Sequence, residues 1–152
     1  MADTQITLDL LLKTSRGELD KLFGSSVGGD VPVGRGTGAV VFAPNSVLTR
    51  LVAVLARLFL WKGKEFDSST DTLLNLIGPF GTRAIRAKVY TDSSWFDGKD
   101  VVVLDYSRTS RVAHWIHDEI REVAPNLYLG LVYWSRRKVL FFVLDFAKAT
   151  KG

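Results

Sequence analysis

Ala84-Ile85-Arg86-Ala87-Lys88-Val89-Tyr90 and Val101-Val102-Val103-Leu104-Asp105-Tyr106 flank the dipeptide Asp97-Gly98, and this stretch decides the fold class. Asp-Gly between two alternating runs is a strong hairpin signal, because both residues tolerate the positive φ of a tight two-residue turn. A two-residue loop there predicts that Phe96 faces Lys99, Tyr90 faces Asp105 and Val89 faces Tyr106. The hairpin then has two faces of opposite character, since side chains alternate along a strand. One carries Ile85, Ala87, Val89, Val102, Leu104 and Tyr106. The other carries Arg86, Lys88, Tyr90, Asp105 and Ser107. The apolar face is expected inside and the polar face in solvent.

Strands are predicted at 61–66, 72–77, 82–91, 100–106, 127–134 and 138–146. The last two are apolar on both faces, as expected of strands with an interior on one side and helices on the other. Ser135-Arg136-Arg137 is the turn between them. Upstream, Leu8, Leu11, Leu12, Leu19, Leu22 and Phe23 have helical spacing, and Ser15 with Glu18 is a capping-box pattern for a second short helix. Gly34-Arg35-Gly36-Thr37-Gly38 lacks the preceding strand and following helix of a phosphate loop. It leads into the strand-like Ala39-Val40-Val41-Phe42 instead. A helix is predicted over 47–60 behind Asn45 and Ser46. Another is predicted over 110–123, with Val112, Ile116, Ile120 and Val123 as its buried stripe and Pro125 as its stop.

At 152 residues, 47% hydrophobic and 24% charged, the chain reads as one ordinary globular domain spanning 1–152. The net charge of +4 is scattered along the chain, whereas nucleic-acid binders concentrate their cations in a patch or stripe; nucleic acid is not an expected partner. With no Cys there are no disulfides and no thiol chemistry, which fits a cytoplasmic location. The first ten residues lack a signal-peptide pattern. The apolar run 47–61 carries Arg50 and Arg57 and falls short of the ~20 residues of a transmembrane span. A homodimer is compatible with this composition.

Candidate chemistry falls in two places. On the predicted helix over 110–123, His114, His117, Asp118 and Arg121 share one side. Two His three residues apart, without a third ligand, make no metal site, and no cofactor is expected. Asp118 and Arg121 read as structural pairing groups, with Lys62, Lys64 or Asp105 as partners. On the hairpin, Asp105 and Tyr106, together with His117, are the candidate acid–base residues of a cofactor-independent isomerase, cyclase or hydrolase. The candidate ligand-binding residues are Trp61, Lys64, Arg86, Lys88, Tyr90, Trp95, Tyr128 and Trp134, aromatic and cationic groups able to line a barrel.

Trp61-Lys62-Gly63-Lys64-Glu65-Phe66, Asp118-Glu119-Ile120-Arg121-Glu122-Val123 and Leu127-Tyr128-Leu129-Gly130 with its aromatic-rich terminal strand resemble a bacterial family of small lipocalin-like, calycin-type proteins, including those with a Gly-x-Trp-x-Gly signature. The similarity runs from about Trp61 to Phe146. The box here reads Phe59-Leu60-Trp61-Lys62-Gly63, without the first glycine. The resemblance implies an antiparallel barrel holding an apolar small molecule, with Trp61 packed at its base and Arg121 tying a helix to it. The expected architecture is therefore α+β, mainly β: a lipocalin-like antiparallel barrel with N-terminal helices and one helix inserted before the last two strands. The expected function is binding of a hydrophobic ligand, lipid-like or aromatic and carrying an acidic group, with catalysis on such a molecule as the alternative. A protein-interaction module and a haem-binding barrel are further readings.

Overall fold

The computed structural model describes residues 6–26, 30–41, 61–111 and 113–146. Two short helices, α1 (Leu8–Lys13) and α2 (Arg16–Ser25), precede eight strands: β1 (Gly34–Val41), β2 (Trp61–Asp67), β3 (Thr72–Ile77), β4 (Thr82–Ser93), β5 (Asp100–Asp105), β6 (Ile116–Ala124), β7 (Leu127–Trp134) and β8 (Arg137–Asp145). The strands pair in chain order, all antiparallel, and β1 closes on β8 to complete a barrel. Closure leaves no strand edge unpaired. Among the described residues no helix is long and apolar enough to cross a membrane. The helix expected over 47–60 lies outside the described residues.

The alternation read from the hairpin sets the two cores. Phe66, Leu73, Ala87, Val89, Val102, Leu104, Tyr106, Ile120, Tyr128, Phe142, Leu144 and Phe146 fill the interior. Val101, Val103, Leu127, Leu129, Leu131, Tyr133, Phe141 and Val143 form a second cluster on the outer wall under Leu11, Leu19 and Phe23 of the helices. The double-sided apolar strands β7 and β8 thus bury both faces. Thr7 caps α1 and Ser15 caps α2, its hydroxyl accepting from Glu18 N–H; each such cap stabilises by about 1 kcal/mol.

The glycine-rich segment is itself a strand. Gly36 and Gly38 on β1 and Gly130 on β7 lie under aromatic rings that fill the barrel. A Cβ on Gly38 would come within 2.3 Å of the Trp61 ring, one on Gly130 within 2.2 Å of Phe142, and one on Gly36 within 2.6 Å of Phe146. These positions are small because the interior is occupied by rings from across the barrel.

Two expectations are corrected. The segment 116–124, expected as helix, is β6, paired with β7 along its length and with β5 from His117 to Ile120. Its apolar residues fit helical spacing because polar residues occupy both faces of the strand and mask the alternation. Pairing on two sides overrides that local pattern. Pro125-Asn126 is the turn into β7, with Asn126 at φ 63. The second correction is the hairpin register. Val89 faces Leu104, Tyr90 faces Val103 and Lys88 faces Asp105, a slip of two residues from the two-residue loop. The connection is wider, from Ser94 to Lys99, closed by Ser94 N–H to the Lys99 carbonyl at 2.8 Å and Gly98 N–H to the Ser94 carbonyl at 2.9 Å. An even slip keeps every side chain on its face.

Candidate functional site

Strand alternation carries Lys64 on β2, Asn75 on β3, Tyr106 after β5 and Asp118 on β6 into one part of the interior, and all four are buried. Lys64 Nζ donates to Asn75 Oδ1 at 2.8 Å and to the Tyr106 hydroxyl at 2.6 Å. It also lies 3.3 Å from Asp118 Oδ2. Asn75 Nδ2 donates to the Tyr106 oxygen at 2.9 Å and to the Ile85 carbonyl at 2.8 Å. Trp61 Nε1–H completes the set, reaching Asn75 Oδ1 at 3.0 Å. Ile85 is a β-branched residue held at φ 54, at the irregularity in β3–β4 pairing that turns its carbonyl to Asn75. Such a conformation is costly for this residue type, so the backbone is bent in favour of the network.

The electrostatics follow from burial and pairing. Burial pushes the Asp118 carboxyl above the ordinary range against the pull of Lys64. For Lys64, burial opposes the charge, but Tyr106 and Asp118 outweigh it and raise its affinity for the proton. Burial raises the Tyr106 phenol as well. The rings of Trp61, Tyr106 and Phe142 lie 5.2–5.5 Å from the ammonium, adding cation–π attraction.

The two ends of the interior differ. Towards the end that holds the β2–β3 and β6–β7 turns, Phe66, Phe146 and Tyr128 pack edge to face. Tyr128 there donates to the Asp30 carbonyl at 2.6 Å, its phenol pushed up to about 12 by burial with Glu122 and Asp30 nearby. Towards the other end, Trp61, Ile85, Ile116 and Val132 are only partly buried and form an apolar collar above the polar quartet. Trp134 follows Val132 at this rim and stacks with the exposed Trp115, centroids 6.3 Å apart. A recess of about 300 Å³ lined by Arg35, Thr37, Lys62, Phe80 and neighbours lies between β1, β2 and the β3–β4 turn. Its two cations are exposed, and Lys62 is committed to the Pro79 carbonyl at 2.9 Å.

The outer wall separates the remaining candidates from the interior. Arg86, Lys88 and Tyr90 are exposed there. Tyr90 donates to Asp105 Oδ2 at 2.9 Å, and its phenol is pushed up to about 12 by burial and by that carboxylate. Burial works to raise Asp105, but hydrogen bonds from Ser107 and Tyr90, with His117 nearby, bring it below the usual range. His117 faces outward: its Nε2 lies 2.9 Å from Glu119 Oε2 and its ring stacks on Trp95 at 3.6 Å. Of the acid–base candidates, only Tyr106 is in the interior. Asp105 and His117 are not brought to it.

Arg121, also outward on β6, is fully buried. It forks onto Asp97 with two 2.8 Å bonds and donates to the carbonyls of Phe23, Lys99 and Asp100. Its guanidinium covers the Phe23 ring at 4.6 Å. It therefore fastens the end of α2 to the β4–β5 loop. Asp118 pairs inward with Lys64, one of the three partners its chemistry suggested; reading 110–123 as a helix put Asp118 and Arg121 on one face, and the strand puts them on opposite faces. Asn75 and Glu119 escaped sequence reasoning. Asn75 faces the interior and Glu119 the outer wall, positions that the two-residue period identifies once the strands are known.

No family model and no curated protein matches the chain. A crystal structure of a protein from Thermomonospora curvata superposes with a TM-score of 0.61 over 87% of each chain at 17% identity. The likeness is one of fold.

Proposed function

We propose that the barrel binds a small, mainly apolar molecule at its collar end, with the apolar body against Trp61, Ile85, Ile116 and Val132 and its polar end towards the Lys64–Asn75–Tyr106–Asp118 quartet. The observation that carries this reading is Asp118 Oδ1, a buried carboxylate oxygen with no hydrogen-bond partner. An orphaned acceptor in a low-dielectric interior costs about 1–3 kcal/mol, and a cost of that size beneath an apolar collar is what a ligand would offset. A few polar groups at the floor of an apolar mouth is the ordinary make-up of a small-molecule site. The lipocalin-like resemblance points the same way, towards a ligand-enclosing barrel of that type. Rings fill the far end, so the ligand seat belongs to the collar end. Acid–base catalysis by Asp105 or His117 within the barrel has no support in this geometry.

The test uses N-phenyl-1-naphthylamine, a neutral apolar fluorophore, with native mass spectrometry of the purified protein for a co-purifying small molecule. Fluorescence enhancement that disappears in Val132→Trp or, should that variant not fold by circular dichroism, in Ile116→Phe is the expected result. Absence of binding, or binding indifferent to both substitutions, overturns the reading.

A further inference from the structure

The unspent hydrogen-bonding groups of the quartet dictate what the polar end of the ligand must be, provided that the collar end is the ligand seat. The ammonium of Lys64 has three N–H groups and three partners: Asn75, Tyr106 and Asp118. Asn75 is saturated too. Its oxygen accepts from Lys64 and Trp61, and its amide hydrogens go to the Ile85 carbonyl and the Tyr106 oxygen. The Tyr106 oxygen accepts twice, from Lys64 and Asn75, which uses its lone pairs and leaves its own O–H without an acceptor. Asp118 Oδ1 is left without a donor. Both residues are 3% exposed, and both lie against the same ammonium. One donor and one acceptor are thus unspent around one ammonium.

We infer that the barrel selects an uncharged group that presents one hydrogen-bond acceptor beside one donor, a carboxamide or lactam, seated between the Tyr106 hydroxyl and Asp118 Oδ1. The carbonyl of such a group accepts from Tyr106 and its N–H donates to Asp118. A carboxylate offers no donor and sets a second negative charge beside Asp118, while the ammonium of Lys64 is already compensated. A ketone satisfies Tyr106 and leaves Asp118 orphaned. Sites built to hydrogen-bond a polar group discriminate strongly against analogues that lack it, because their own groups are then left unpaired.

Competition against N-phenyl-1-naphthylamine with three ligands of one shape separates the cases: 4-phenylbutyramide, 4-phenylbutyrate and 5-phenylpentan-2-one. At pH 7.5 the amide is expected to bind about tenfold more tightly than either of the others, the equivalent of one hydrogen bond or about 1.4 kcal/mol. Asp118→Asn turns the free acceptor into a donor and leaves Lys64 uncompensated, so it is expected to reverse the order in favour of the carboxylate. If Asp118→Asn does not fold, Tyr106→Phe stands in for it and lowers the affinity of the amide about tenfold. Displacement by all three ligands with equal affinity, or an unchanged order in the folded Asp118→Asn variant, overturns this inference and leaves the binding reading standing. Failure of the fluorophore to bind at the collar overturns that reading instead.

Discussion

Asp118 and Arg121 are three residues apart on one strand, yet they belong to opposite regions of the molecule. On the outer wall, Arg121 spends its whole donor fork on Asp97 and three carbonyls. Beside it, Glu119 is closed by Ser94 Oγ–H at 2.6 Å, Trp95 N–H at 2.7 Å and His117. Inside the barrel, the quartet around Lys64 is saturated except for one donor and one acceptor. Both clusters bury charge, and burying charge is costly unless it is paired. The complete cluster holds α2 and the β4–β5 loop to the barrel wall. The incomplete one is where a partner molecule is expected.

The largest effect is expected on the outer wall. Arg121→Met removes the fork and strands the Asp97 carboxylate and the Phe23 carbonyl. A loss of about 3–5 kcal/mol is expected, measured as the change in denaturation midpoint at constant slope. On the inside, Lys64→Met alone leaves Asp118 buried without its cation and should cost about 3 kcal/mol. The double variant Lys64→Met with Asp118→Leu should recover most of that loss, because an apolar pair of similar volume often replaces a buried ion pair without penalty. It should also lose selective amide binding. A double variant as unstable as the single would mean that the quartet is a structural device like its outer counterpart.

Acid separates the two regions further. Asp97 is held down to about 2, chiefly by hydrogen bonds from Arg121, below an unfolded value of about 3.9. Its contribution is present in full above that unfolded value and is lost as pH falls through about 2. Stability should therefore drop between pH of about 4 and 2 in the native protein, and Arg121→Met should lack that component when denaturation is followed across the same range. The smallest effect belongs to the exposed hairpin face. Arg86→Ala and Lys88→Ala should change stability by no more than about 0.5 kcal/mol and leave fluorophore binding intact.

Much of the barrel was legible because alternation survives wherever one face is apolar. The hairpin faces of β4 and β5, the two-sided apolar runs of β7 and β8 and the Ser15 cap were all readable. Strand β6 was hidden because its inward Asp118 and outward His117, Glu119 and Arg121 are all polar, and only tertiary partners explain their burial. Gly36 and Gly38 were read as leading into a strand at Ala39, since nothing local reveals that the rings of Trp61 and Phe146 would lie over them. The site was half visible. Trp61, Lys64 and Tyr106 stood out as aromatic or charged residues at strand positions, whereas Asn75 carries no signal until its neighbours across β3 are known. Arg86, Lys88, Tyr90 and Trp95 have the right chemistry on the wrong side of the wall.

The two regions can be compared in one spectrum. The indole N–H of Trp61 donates into the quartet, while Trp95 sits outside on His117. Titration of ¹⁵N-labelled protein with 4-phenylbutyramide, with indole signals assigned by Trp→Phe variants, should shift the Trp61 resonance and leave that of Trp95 in place. A shift of Trp95 with Trp61 unmoved, or no shift of either at saturating amide, would contradict the account.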